Sequence, residues 1–482
     1  MSKLHFITFL FVFCVLSVAN AQEKEYFPDP DTAIQHRLEE WKDLKFGLLM
    51  HWGAYSQWGI VESWSLCPED VGWATGARVA KDPVSSYFTY KKNYENLKTT
   101  FNPTKFNPTD WAKAAKDAGM KYVVFTTKHH DGFCMFDTKT TDYKITDPSC
   151  PFSTNPKSDV TKEIFNAFRS ENMWVGAYFS KPDWHSNYYW WDRFPPVDRN
   201  VNYPVKHYPQ QWKKFVDYTY TQINELMSNY GKVDILWLDG GWVRKKTDAE
   251  EKKDVADAFN ENQFSINAIS QDLDMPRLAK MAREKQPKLI VVDRAVPGEQ
   301  QNYLTPEQHI PANGLPYPWE TCMTMAGSWS YVPNDVYKPA DEIVEKLVDI
   351  VSKGGNYLLN IGPSPEGEFD AVAYQRLKEI SAWMKVNSSA IYYSRMYKVF
   401  GEGEKVRFTQ SKDGHTKYIF LFEFPQSKVS LKELQLKKGA KVTMLGSTQK
   451  LKWESTADAT EITVPANLKA VTNYVWVLKV VD

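Results

Sequence analysis

From about residue 35 to 385 the chain alternates short apolar runs with longer stretches whose apolar residues recur at helical spacing. Runs of strand length lie at 46–51, 122–127, 175–179, 233–238, 289–293 and 357–361, with 319–325 a further candidate. Amphipathic helical patterns fill 110–118, 160–169, 211–229, 277–285, 341–352 and 374–386. This βα alternation over about 350 residues predicts an α/β fold with a parallel sheet. The length fits closure into a (β/α)8-like, TIM-type barrel better than a doubly wound sheet. After about residue 388 the pattern changes to short β-type runs at 405–410, 418–424, 441–445, 461–464 and 474–480, separated by turn signals such as Asp413-Gly414 and Lys438-Gly439. These predict a small C-terminal antiparallel β-sandwich, which carries no cluster of His and carboxylates and is expected to be structural support. The expected division is a leader over 1–21, a catalytic barrel over 22–387 and the sandwich over 388–482.

The leader expectation comes from a basic Lys3, an apolar stretch from about Phe6 to Val18, and Ala19-Asn20-Ala21 before Gln22. That is the layout of a secretory signal peptide, so the mature chain is expected to be exported, periplasmic or extracellular. No other segment approaches the roughly 20 apolar residues of a membrane span. With 482 residues the chain can bury a large core. Lys+Arg and Asp+Glu are both 59, so no general attraction to nucleic acid or to an anionic membrane is expected. Beyond the leader, Cys67, Cys134, Cys150 and Cys322 are spread too widely for a small disulfide scaffold or a CxxC metal site, and one disulfide stays open to them. Aromatics make up 15% of the chain, with 18 Trp, and recur in short polar loops, where flat apolar rings commonly stack on sugar faces.

Candidate chemistry gathers where the predicted strands end. His51-Trp52-Gly53, Lys128-His129-His130-Asp131-Gly132-Phe133, Ser180, Asp239-Gly240-Gly241-Trp242 and Asp293-Arg294 all follow apolar runs, and one barrel face would collect them. His129-His130 raises the question of a metal. Adjacent side chains on a regular strand point to opposite faces, so the pair suits hydrogen bonding to hydroxyls at a frayed strand end better than chelation, and no metal or other cofactor is expected.

A carboxylate at a strand end beside aromatics points to sugar chemistry. A glycosidase needs one ionised carboxyl near the anomeric carbon and one protonated carboxyl beside the leaving oxygen. Asp239 supplies the first, and Glu299, Glu307 and Glu320 are candidates for the second. Arg294 would keep a nearby carboxylate ionised.

Several of these blocks together resemble a known family. Lys45-Phe46-Gly47-Leu48-Leu49-Met50-His51-Trp52-Gly53, His129-His130-Asp131-Gly132-Phe133, Leu236-Trp237-Leu238-Asp239-Gly240, Val292-Asp293-Arg294, Thr305-Pro306-Glu307, Trp319-Glu320-Thr321-Cys322, Ser328-Trp329, and Lys353-Gly354-Gly355-Asn356 through Asn360-Ile361-Gly362-Pro363 are similar, in the same order, to the motifs of the α-L-fucosidases of glycoside hydrolase family 29. The likeness covers about residues 40–385. It implies a secreted retaining exoglycosidase that removes terminal α-L-fucose from oligosaccharides or glycoconjugates, built as a barrel plus a C-terminal β-sandwich and working without a metal. Residue by residue, Asp239 resembles the family's nucleophile. His51, His129, His130 and Trp64 resemble its binders of the sugar hydroxyls, Arg294 the arginine near the nucleophile, and Tyr178 and Trp329 the wall of the pocket for the deoxy-sugar methyl. Thr-Pro-Glu matches the family pattern at Glu307, which is preferred as acid/base over Glu299 eight positions earlier. One departure lies at Glu62-Ser63-Trp64, where many relatives place Glu directly before Trp; Glu62 or Glu69 is left to supply that carboxylate. Three alternatives stand beside this reading: an exoglycosidase for another sugar such as an α-L-galactoside, a fucose-binding protein without turnover, and a metal-dependent hydrolase that would lose activity in chelator.

Overall fold

The computed structural model describes residues 26–68, 72–260, 269–469 and 471–482. The expected leader and Glu69 lie outside the described residues. Seven parallel strands form the central sheet: β1 (Phe46–Met50), β2 (Tyr122–Lys128), β3 (Trp174–Ser180), β4 (Ile235–Asp239), β5 (Ile290–Asp293), β6 (Glu320–Thr324) and β7 (Asn356–Ile361), in the order β5-β4-β3-β2-β1-β7-β6. Every residue of β1, β2, β5, β6 and β7 is buried, which is why β1, β5 and the middles of β2 and β7 read as apolar runs rather than alternating ones, while β6, with Glu320, Thr321 and Thr324, does not. Alternate positions divide the labour. Leu49, Val124, Tyr178, Trp237, Val292, Cys322 and Leu358 fill the barrel interior. Leu48, Phe125, Phe179, Leu238, Val291 and Leu359 pack outward against the helices.

The helices follow from the same patterning. Val160–Ser170 buries Val160, Ile164, Phe165 and Phe168 along one stripe, and Asp159 caps it. Pro108–Asp117, Pro209–Asn229 and Met275–Lys285 carry Pro in the first turn, where its missing N–H costs nothing.

Closure differs from an ideal barrel of eight strands. Between β5 and β6 an irregular segment, 300–308, stands where the eighth strand would be. It bonds antiparallel to β5 through Asn302 N to Val291 O (3.0 Å) and Asp293 N to Gln300 O (2.9 Å). It then runs parallel to β6, with Cys322 N to Pro306 O at 3.2 Å and Gln308 N to Cys322 O at 2.9 Å. Pro306, which lacks an N–H, and the change of direction along the segment prevent a regular ladder. The result is a TIM-like barrel of seven regular strands and one irregular seam.

The C-terminal region holds more strands than its sequence predicts. A six-stranded antiparallel sheet uses Ser394–Glu402, Val406–Ser411, Thr416–Leu421, Lys441–Met444, Lys450–Leu451 and Trp476–Val481, and a three-stranded one uses Lys428–Leu431, Trp453–Ser455 and Thr460–Thr463. Ser394–Glu402 escapes a pattern search because its pairing slips between Met396 and Gly401, which breaks the period of two. These sheets dock on the barrel through Tyr418, Phe420, Val475 and Val477, the Trp383 Nε1 to Val475 O bond (2.7 Å), and the ion pairs Arg395–Asp43 (2.7 Å) and Arg407–Asp349 (2.6 Å). Cys67, Cys134, Cys150 and Cys322 are buried and none is joined to another by a disulfide, so the disulfide left open by the sequence is not formed. Among the described residues no helix is long and apolar enough to cross a membrane.

Candidate active site

The C-terminal ends of the strands surround a cavity of about 200 Å³ lined by Leu49, His51, Glu62, Trp64, His129, His130, Tyr178, Arg199, Trp237, Asp239, Trp242, Arg294, Glu307, Cys322 and Trp329. Among the described residues, every one that the sequence offered as a binder or catalyst is in this wall except the alternatives Glu299 and Glu320.

Asp239 ends β4 with its side chain turned into the cavity. Its Oδ1 accepts from Gly240 N (2.8 Å) and Arg294 Nη1 (3.1 Å), and its Oδ2 from the Tyr178 hydroxyl (2.7 Å). Burial by itself would raise this carboxyl's pKa. The Arg294 guanidinium, with these donors, overrides burial and holds the group well below the usual carboxylate range. The turn that allows this geometry needs glycine: Gly240 has φ +90°, and a Cβ there would stand 2.4 Å from Pro182 Cδ. Arg294, the first residue past β5, also bonds Glu307 through its other terminal nitrogen, so one guanidinium touches both carboxylates. Glu307 comes from the irregular seam beside β6, and its side chain is 42% exposed against 15% for Asp239, which leaves it room to move.

The imidazoles come from β1 and β2. His51 Nδ1 meets Asn360 Oδ1 of β7 at 2.8 Å, and His129 Nδ1 bonds Ser63 Oγ. His129 and His130 both reach the cavity, although adjacent residues of a regular strand could not. The β2–β3 register slips between Thr126 and Lys128, and the chain leaves the ladder at Lys128, so the alternation no longer applies. Trp184 N to His130 O (2.8 Å) and Gly132, at φ +80°, fix the exit turn; a Cβ on Gly132 would fall 2.2 Å from Asp183 Oδ1. Burial pushes His51 and His130 down to about 4 and His129 well below its ordinary value. All three are therefore neutral near pH 7, each with one donor and one acceptor nitrogen, the valence that matches a row of hydroxyls. His130 Nδ1 has no hydrogen-bond partner among the described residues.

His129, His130 and Asp239 also offer ligand atoms within 4.8 Å of one another. As a metal site the trio is poorly disposed, because Asp239 already accepts from three donors and the adjacent Arg294 places a positive charge against any cation.

Several placements were not foreseen. Glu320 is not in the cavity. It points into the barrel core, where its carboxyl accepts from Tyr122 OH (2.5 Å), Tyr303 OH (3.2 Å) and Trp237 Nε1 (3.3 Å), so it is excluded as a partner of Asp239. Glu299 is exposed on the β5 exit loop and does not line the cavity. Glu62 does line it: buried, with Oε1 accepting from Ser330 N (2.7 Å), it is raised to about 7 by burial. Ser63 bonds His129 instead of supplying a carboxylate. Asn360 and Arg199 were missed; the signal for Asn360 was an amide at an inward position near the exit of a buried strand, directly after Tyr357-Leu358-Leu359. Arg199 lies over the Trp64 and Trp242 rings at 5.0 and 5.1 Å, and nothing in its local sequence marks it.

The α-L-fucosidase family model matches residues 13–389, and the model of the α-L-fucosidase C-terminal domain matches 402–481. Tissue α-L-fucosidase of Rattus norvegicus is 27% identical over 451 residues, covering 91% of this chain and 88% of that protein. The Homo sapiens tissue α-L-fucosidase is 27% identical over 461 residues, covering 93% and 90%. Among solved structures, α-L-fucosidase isoenzyme 1 from Paenibacillus thiaminolyticus is similar with a TM-score of 0.73 at 29% identity, covering 93% of this chain and 99% of that one. The Thermotoga maritima α-fucosidase in complex with a mechanism-based inhibitor gives 0.71 at 26% identity, covering 95% and 100%. The match of the family model across most of the chain, over the barrel whose strand ends carry Asp239, Arg294 and the three histidines, places this protein in the α-L-fucosidase family.

Proposed function

We propose that the chain is a retaining exo-α-L-fucosidase in which Asp239 is the nucleophile and Glu307 the acid/base. The observation that carries this is the single guanidinium of Arg294 held against both carboxyls, with Asp239 kept ionised in the wall of the cavity. Retaining glycosidases keep their two carboxyls close enough for direct attack, whereas inverting ones leave room for a water.

In the first step an Asp239 oxygen attacks C1, the glycosidic C1–O bond breaks, and Glu307 gives its proton to the departing oxygen. A carboxyl that donates a proton cannot stay ion-paired, so Glu307 leaves Arg294 to meet the leaving group, while Arg294 stays on Asp239. In the second step Glu307 takes a proton from water as the water oxygen attacks C1, the fucosyl ester breaks and the Asp239 carboxylate returns. His51, His129 and His130, neutral and ordered, are assigned to the sugar hydroxyls, with Trp64 beside them. Glu62 joins them from the buried wall and replaces the carboxylate missing at Ser63. The Trp329 ring and the Tyr178 face are assigned to the methyl group, which a hexose with a hydroxymethyl would overfill.

The test is hydrolysis of 4-nitrophenyl α-L-fucoside followed by proton NMR within the first turnovers. α-L-fucose is expected to appear first and to mutarotate later; initial β-L-fucose would replace the double displacement with a direct water attack. Export follows from the Lys3 to Ala21 leader, and amino-terminal sequencing of the protein produced with its natural leader is expected to begin at Gln22. An intact Met1 on protein from the soluble cytoplasmic fraction would remove that assignment.

A further inference from the structure

Behind the Asp239 exit the sheet carries a second, hidden pair of charges. Lys181 is the first residue past β3 and Asp293 the last of β5, and they are ion-paired with side chains 1% and 3% exposed. Strand alternation places the pair on the outer side of the sheet: Tyr178 lines the catalytic cavity and the Ser180 hydroxyl bonds the Tyr178 hydroxyl on that same side, while Phe179 packs outward, and Arg294 lines the catalytic cavity while Asp293 lines a separate one beside Arg244 and Gln300. The bond thus crosses behind β4 and ties together the strands on either side of Asp239. Backbone bonds lie at the same level. Lys181 N donates to Asp239 O at 2.9 Å, Arg294 N donates to Leu238 O at 3.1 Å, and Leu238 pairs with Asp293 in register.

A buried ion pair is a poor source of stability, because desolvating two charges costs about as much as their attraction returns. Lys128 and Asp183, the comparable buried pair nearby, sit in a network with Gln222, Tyr218 and two backbone N–H groups. Lys181 and Asp293 face chiefly one another, and burial still raises the Asp293 carboxyl despite the lysine. What the pair does accomplish is to fix the β3 and β5 exits, which deliver Tyr178 and Arg294 to the two oxygens of Asp239.

We propose that Lys181 and Asp293 are positioning residues that clamp Arg294 and Tyr178 onto Asp239 from the far side of the sheet. This rests on the reading of Asp239 as nucleophile. Displacements near 1 Å at a reacting centre cost on the order of 10²-fold in rate. Arg294 also keeps Asp239 ionised; Asp239 acts as the carboxylate, so activity is present above its pKa and lost as pH falls through it. A loosened Arg294 raises that pKa and moves the acid limb of kcat/KM to higher pH.

The experiment compares Asp293→Asn, Lys181→Met, the double variant and Asp293→Glu with the parent enzyme on 4-nitrophenyl α-L-fucoside, measuring kcat, KM, the acid limb, fucose affinity and melting. The first three are expected to lose about 10- to 100-fold in kcat, with fucose affinity within about threefold and the acid limb moved up, and Asp293→Glu to recover part of the loss. Should Asp293→Asn not fold, the double variant carries the same comparison, since it removes the charges together. Folded variants with parental kcat and an unmoved acid limb overturn the clamp, as does a parallel fall of kcat, fucose affinity and melting. An inactive parent enzyme overturns the functional reading and the clamp with it; an active parent matched by its variants overturns the clamp alone.

Discussion

Asp239→Ala reduces release of 4-nitrophenol from the fucoside by on the order of 10⁴-fold or more, the scale lost when a catalytic unit is deprived of its nucleophile. The structure says why no neighbour substitutes. Glu320 is locked among Tyr122, Trp237 and Tyr303, and Glu62 is held by the Ser330 amide on another wall. Truncation leaves a gap beside Arg294 and the Tyr178 hydroxyl, both of which lose an acceptor they now share. That gap is sized and charged for a small anion, so azide is expected to restore part of the rate and to leave as β-L-fucosyl azide, having displaced nitrophenolate from the face Asp239 used. Parental activity in the variant, or an α-azide product, would remove Asp239 from its role.

Glu307→Ala has the second largest effect, and its size depends on the leaving group. For a fucosyl disaccharide, whose departing alkoxide needs a proton, the loss is expected to be about 10²- to 10⁴-fold, the usual contribution of general acid catalysis. With nitrophenolate, which leaves unaided, bond cleavage is less affected and hydrolysis of the ester becomes limiting; azide then accelerates turnover and yields α-L-fucosyl azide, since it needs no base. Glu62→Gln is the control, because Glu62 is also in the cavity and is raised to about 7 by burial. If the split between leaving groups appears in Glu62→Gln and not in Glu307→Ala, the proton comes from the buried wall.

Much of this was legible in the amino-acid sequence because burial on both faces forces long apolar runs. The strands carrying His51, His130, Asp239 and Arg294 were read from such runs, and their polar exits marked one end of the barrel. The seam at 300–308 was not legible, since it earns its place by bonding to two neighbours in opposite senses and leaves no periodic trace. Glu320 misled for a related reason: a carboxylate on a strand looks like a catalyst until three buried donors are found waiting for it from distant parts of the chain. The paired entry of His129 and His130 depends on a one-residue register slip that composition does not encode.

The seam between β5 and β6 lets the two halves of the reaction change independently. The nucleophile is anchored in a regular parallel ladder bonded on both sides, whereas the proton donor rides on a stretch held to its two neighbours by scattered backbone bonds, where a change of length disturbs fewer of them. Variation concentrated there would retune which alcohols are released while the grip on the sugar itself stays constant.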